Sequence, residues 1–151
     1  MNAPPRVVTV GETFSTTLDL SAESIKSFAT LVNDTNPLHH DDAYAAQSRF
    51  GGLIASGTQP TAHFMALLAA HFSQYAQPLG LDFEIKLKKA VRSDDSLTMT
   101  WKVTHAFWKA SLNGDLTHLE GQVVNQHDET VVLGKSTILV MPNPASTDTA
   151  S

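Results

Sequence analysis

The chain has 151 residues, 42% hydrophobic and 17% charged, the size and composition of one folded domain rather than a disordered chain. Ten Lys and Arg against fifteen Asp and Glu leave a net charge of −5, the wrong sign for a general binder of nucleic acid or anionic membrane. There is no cysteine, so no disulfide framework, thiol nucleophile or cysteine-ligated metal centre, and no apolar run nears the roughly 20 residues of a membrane span.

Residues 1–6 carry two prolines and no apolar stretch of the signal-peptide kind. Residues 142–151 are Pro, Asn, Ala, Ser, Thr and Asp. Both are expected to be tails flanking one domain, residues 7–141, of a cytoplasmic protein. Residues 7–20 read as extended chain with a turn at Val10-Gly11-Glu12. Ser21 fits an N-cap, with Glu23 in the first turn where the dipole favours an anion. Ile25, Phe28, Ala29 and Val32 then recur at helical spacing. This helix must stop before Pro37, because proline disfavours the α region for the residue ahead of it. Residues 33–42 are therefore a polar loop, and residues 42–47 one short helical turn.

Gly51-Gly52-Leu53-Ile54-Ala55-Ser56-Gly57 is a small-residue loop. It leads into the longest helical candidate, residues 58–76, with Pro60 in its first turn. Eleven of the sixteen residues 61–76 are apolar, which predicts a helix buried on nearly every side and roughly 28 Å long at 1.5 Å per residue. After Gly80 the period becomes two. Leu81, Phe83, Ile85 and Leu87 alternate with charged residues, and Leu97, Met99, Trp101 and Val103 alternate with Thr and Lys. Both read as strands with one wet face. Residues 115–126 and 130–141 are two more. Long antiparallel strands and one apolar helix predict an α+β fold in which the sheet curls around the helix. Open edges favour pairing with a second copy.

The chemistry is concentrated in Asp34-Thr35-Asn36-Pro37-Leu38-His39-His40-Asp41 and in the loop from Phe50 to Gly57. A carboxylate and an imidazole stand five residues apart in a proline-fixed loop, close in sequence to a glycine-flanked helix start. An Asp/His pair can hold and polarise one water, which is general acid–base chemistry. Free N–H groups at a helix start can hold a developing oxyanion. Together they suit addition of water to, or its removal from, a carbonyl-conjugated double bond. The bland alternative is that Asp34 caps a turn, His39 is a surface histidine and the glycines serve backbone geometry.

Asp-x-Asn-Pro-x-His-x-Asp, followed by Phe-Gly-Gly-x-Ile-Ala-x-Gly and an apolar helix, resembles the MaoC-like (R)-specific enoyl-CoA hydratases and dehydratases. The resemblance implies a hot-dog fold, usually dimeric, with the site at or near the subunit interface. It implies no cofactor and no metal, with a CoA or pantetheine thioester as substrate. It gives Asp34 and His39 as the acid–base pair and the Gly57 N–H as the oxyanion donor, with Asn36 and Ser56 positioning the loop. The implied reaction is hydration of trans-2-enoyl-CoA to (R)-3-hydroxyacyl-CoA, or its reverse. The sequence departs from the family at Ser56, where many members carry His, and at Ala90-Val91-Arg92-Ser93-Asp94-Asp95, where Pro-Val-x-x-Gly-Asp is usual.

Lys86, Lys88, Lys89 and Arg92 are four of the ten basic residues and are candidates for steering the phosphates of a CoA or carrier handle, or else a solvated strand end. The run His39-His40-Asp41-Asp42 is a poor metal site, since adjacent side chains diverge. His63 and His71, eight apart, read as pocket-lining or hydrogen-bonded core histidines. Trp101, Phe107 and Trp108 read as core or interface packing. Two other functions compete: a hot-dog acyl-CoA thioesterase, against which residues 57–81 contain no Asp or Glu, and a catalytically silent thioester-binding or scaffolding subunit.

Overall fold

The structure is a computed structural model and describes residues 7–144. The expected tail 1–6 and most of the expected tail 142–151 lie outside the described residues. Five strands form one antiparallel sheet: β1 (Thr13–Asp19), β2 (Ala76–Leu87), β3 (Ser96–Lys109), β4 (Gly114–Val124) and β5 (Thr130–Pro142). Their order is β1-β3-β4-β5-β2. Three helices, α1 (Ala22–Leu31), α2 (Asp42–Gln47) and α3 (Thr58–Phe72), fall between β1 and β2, so this segment crosses the width of the sheet. No described helix is long and apolar enough to cross a membrane.

The core forms where α3 lies against the sheet. Phe64, Leu68 and Phe72 recur every four residues along α3 and are buried, worth roughly 1.5–3 kcal/mol each. From β3, Leu97, Met99, Trp101 and Val103 are wholly buried. Trp101 stacks on Phe64 with ring centroids 4.1 Å apart and donates its indole N–H to the Phe64 carbonyl at 2.9 Å. The sheet makes room for this pair with glycine. Gly121 stands opposite both Trp101 and Gly134 in the ladder, and a Cβ on Gly121 would lie 2.5 Å from Trp101 Cε3.

Three expectations require correction. The long helix ends at Phe72, not at residue 76: the amides of Ser73, Gln74 and Tyr75 close turns onto Ala69, His71 and Phe72, and Ala76 opens β2. Nor is α3 buried on every side, since Ala62, His63, Ala66, Ala69 and Ala70 are exposed in the single chain. His63 is thus exposed rather than core and has no hydrogen-bond partner among the described residues, whereas His71 bonds Glu12. The second strand begins five residues before Leu81, taking in Pro78 and Gly80, because β2 is an edge strand, where a missing N–H is tolerated.

Bulges explain where simple alternation stops. The β3–β4 register shifts between Val103 and His105, so the buried residue after Val103 is Ala106 rather than His105. A second shift in β2 falls between Gly80 and Asp82.

At the C-terminal end of α3, His71 Nε2 lies 2.5 Å from Glu12 Oε2 and the Tyr75 hydroxyl donates to the same oxygen at 2.8 Å. Burial pushes the Glu12 carboxyl up, but the hydrogen bonds from His71, Tyr75 and Thr9 outweigh it and hold the group below its ordinary value. Burial and the Glu12 anion push the Tyr75 phenol well above its ordinary range. This cluster ties the start of β1 to the end of the helix, far along the chain from the loop that carries Asp34.

Candidate active site

The loop that presents Asp34 is built by the end of α1. Asn33 adopts the left-handed conformation, φ 60°. Its N–H bonds the Thr30 carbonyl at 3.1 Å and the Asp34 N–H bonds that of Ala29 at 2.8 Å. This is a Schellman closure with Asn in the position usually held by Gly, and it fixes the Asp34 backbone on leaving the helix.

Asp34 then organises the turn after it. Its Oδ1 accepts from the Asn36 N–H at 3.1 Å. Asn36 Oδ1 accepts from the Leu38 N–H at 3.0 Å and caps a one-turn 3₁₀ helix, Pro37–His39, that begins with Pro37. The next residue locks the turn, His40 Nε2–H donating to the Asp34 carbonyl at 2.6 Å. Asp41 caps α2 through the Tyr44 N–H and Asp42 pairs with Lys26 at 2.6 Å, so the His39-to-Asp42 run points in separate directions.

Ring and carboxylate meet. His39 is 5% exposed. Its Nδ1 lies 2.7 Å from the Ile54 carbonyl; a carbonyl only accepts, so Nδ1 carries the hydrogen and Nε2 keeps its lone pair in the neutral ring. That Nε2 stands 3.3 Å from Asp34 Oδ2. The Ile54 carbonyl is itself held: the Ile54 N–H bonds Leu38 at 3.2 Å, and the Ala55 N–H bonds Val91 at 2.8 Å. Asp34 Oδ2 also accepts from the buried Ser56 hydroxyl at 2.7 Å. That bond first, and then the Asn36 amide, hold the Asp34 carboxyl below its ordinary value; the nearby imidazoles of His39 and His40 add to the effect.

Gly57 comes directly after Ser56, at the N-cap of α3 with ordinary helical φ of −57°. Neither the Gly57 nor the Thr58 N–H has a hydrogen-bond partner among the described residues. Both sit at the positive end of a 15-residue helix. A Cβ at Gly57 would come within 2.6 Å of Leu87 Cδ1, so a leucine at the end of β2 packs against the Cα of this residue.

The basic residues do not all converge. Lys88, Lys89 and Arg92, together with Arg49, line a cleft of about 690 Å³ beside the 50–57 loop. All four are exposed; within the cleft Lys89 is bound to Glu129, Arg92 to the Phe50 carbonyl, and the Arg49 guanidinium lies over the Phe50 ring at 5.1 Å. Lys86 lies elsewhere, in a cleft on the outer face of the sheet, near Glu84. His40 and Thr58 are the site-forming residues that sequence reasoning missed. His40 gave the only signal, its place beside His39.

Residues 8–133 match the family model described as FAS1-like, dehydratase domain region. Over 70 residues the chain is 31% identical to a mitochondrial 3-hydroxyacyl-[acyl-carrier-protein] dehydratase of Arabidopsis thaliana; the match takes in 46% of this chain and 42% of that relative's length. Among solved structures, the unliganded R-hydratase PhaJ1 from Pseudomonas aeruginosa superposes with a TM-score of 0.79 at 25% identity, covering 89% of this chain and 83% of that one. The MaoC-like dehydratase from Rhodospirillum rubrum gives 0.77 at 27% identity, covering 91% and 95%.

Proposed function

Because the chain belongs to the FAS1-like dehydratase-region family and has the hot-dog fold of the MaoC-like hydratases, we propose that it is a hydro-lyase acting on acyl thioesters through Asp34 and His39. Its reaction is the (R)-specific hydration of trans-2-enoyl-CoA to (R)-3-hydroxyacyl-CoA, or the reverse. The observation that carries this reading is the 3.3 Å approach of His39 Nε2 to Asp34 Oδ2, next to an amide at the start of α3 that has no hydrogen-bond partner among the described residues.

The chemistry derives from that geometry. The bare His39 Nε2 and the Asp34 carboxylate are both acceptors, and a substrate water seated beside the pair donates one hydrogen to each. In the forward direction the water oxygen attacks Cβ, and His39 Nε2 takes one of its protons as general base. Asp34, held ionised, orients the second hydrogen and stabilises the imidazolium. The electron pair of the double bond moves onto the thioester oxygen, where the Gly57 N–H and the dipole of α3 stabilise the enolate. His39 then returns its proton to Cα, so that H and OH add from the same side and no net proton is consumed. Lys88, which has no ion-pair partner among the described residues, is placed to meet an anionic handle of CoA or of a carrier, with Arg49 beside it over the Phe50 ring. Neither a metal nor a redox group enters these steps. The reading takes the cytoplasm as compartment and a second copy of the chain as partner.

The test is to incubate the purified chain with a short trans-2-enoyl-CoA. Loss of the conjugated thioester absorbance with formation of the (R)-3-hydroxyacyl product is expected. Release of free CoA would turn the assignment to a thioesterase, and binding without turnover to a silent subunit.

A further inference from the structure

Ser56 has a single hydroxyl hydrogen. Asp34 Oδ2, 2.7 Å away, belongs to an ionised carboxylate that can only accept, so that hydrogen is spent on Asp34. Ser56 Oγ is also 2.8 Å from Thr58 Oγ1. With its own hydrogen committed, Ser56 must accept there, and Thr58 must donate.

From this geometry we infer that Thr58 is a positioning residue for the water-handling pair, its hydroxyl fixing the direction of a Thr58→Ser56→Asp34 hydrogen-bond chain. The inference deepens the proposed function and rests on it for its catalytic meaning, though the chain itself stands on distances alone. Ser56 is 2% exposed, whereas Thr58 is exposed at the first turn of α3. The relay thus runs from solvent to the one carboxylate oxygen that faces His39. Its first effect is directional. Ser56 occupies one acceptor position of Oδ2 and leaves another for the water shared with His39. Its second is a division of labour. A carboxylate supplied with a polarised donor resists protonation, so the proton taken from water goes to His39 and Asp34 stays an anion. Asp34 is held low mainly by Ser56, in keeping with that division. The titratable groups facing Asp34 are His39 and His40; residues 50–57 and the first turn of α3 bring only neutral side chains.

The experiment reads the Asp34 carboxyl directly, by ¹³C NMR titration of the full chain, and in parallel the pH profile of kcat/KM for enoyl-CoA hydration. Thr58→Val removes the hydroxyl and keeps the shape; Thr58→Ser restores the hydroxyl. In Thr58→Val the Asp34 titration should move up by about half a pH unit, with KM unchanged. Thr58→Ser should return to the wild-type titration. Ser56→Ala should move Asp34 at least as far, and Ser56→Ala with Thr58→Val no further than Ser56→Ala alone, because Thr58 acts through Ser56. An Asp34 titration in Thr58→Val that coincides with wild type overturns the relay, even if the enzyme turns over. A shift in that titration in a protein that hydrates no enoyl thioester keeps the relay and overturns the proposed function.

Discussion

At the scale of single residues, the site is a set of backbone accommodations that bring two side chains within 3.3 Å. The spacing Asp34-x-Asn36-Pro37-x-His39 was legible in the sequence because each part has a local physical role: an Asx contact, a cap, and a proline starting a 3₁₀ turn. The bonds from His39 to Ile54 and from Ser56 to Asp34 were not legible, since they join residues 15 and 22 positions apart and depend on how two loops dock. His40 escaped for another reason: its partner is a backbone carbonyl, which carries no side-chain signature. The roles proposed for the pair predict distinct losses. Asp34→Asn keeps the shape but removes the charge that orients water, and His39→Ala removes the base. Each should lower kcat by at least about 10²-fold, measured with a trans-2-enoyl-CoA, while circular dichroism shows the wild-type fold. Turnover within a few-fold of wild type in either variant removes that residue from the mechanism.

At the scale of elements, the alternating period located β2 and β3 but not their ends. The β3 alternation breaks at the bulge after Val103, and β2 extends back through Pro78 only because its outer side is unpaired. No one-dimensional pattern carries either fact. The apolar count of α3 overstated burial for the same reason: composition does not reveal that full burial is confined to Gln59, Pro60, Phe64, Leu68 and Phe72. The glycines separate two kinds of constraint, neither of them conformational. A Cβ on Gly121 would meet the Trp101 ring at 2.5 Å and the Thr100 carbonyl oxygen at 2.7 Å, and neither can swing away. A Cβ on Gly57 meets only the tip of Leu87, which can rotate into solvent. Gly121→Ala should therefore cost about 1–3 kcal/mol in urea denaturation, whereas Gly57→Ala should leave the midpoint near wild type. A Gly121→Ala midpoint equal to wild type would mean that the packing of Trp101 between α3 and the sheet is looser than described.

At the scale of the whole molecule, the sheet has two edges of different character. β1 is seven residues of mostly polar chain. β2 is twelve residues long, with Leu79, Leu81 and Leu87 about half exposed or more, and a long apolar edge of that kind is one proteins seldom leave open. Side-by-side pairing of β2 with its symmetry copy satisfies the free backbone groups of both strands at once and forms an isologous contact. Leu87, at the end of the same strand, packs against the Gly57 Cα, so disorder at this edge would reach the start of α3. The chain is accordingly expected to sediment as a dimer. Leu79→Lys with Leu81→Lys places like charges where the two copies approach and should shift sedimentation to the monomer. Activity should fall with the monomer fraction, since the strand end holding Leu87 loses its support. A double variant that still sediments as a dimer would move the interface away from β2, and a fully active monomer would show that one chain suffices to build the site.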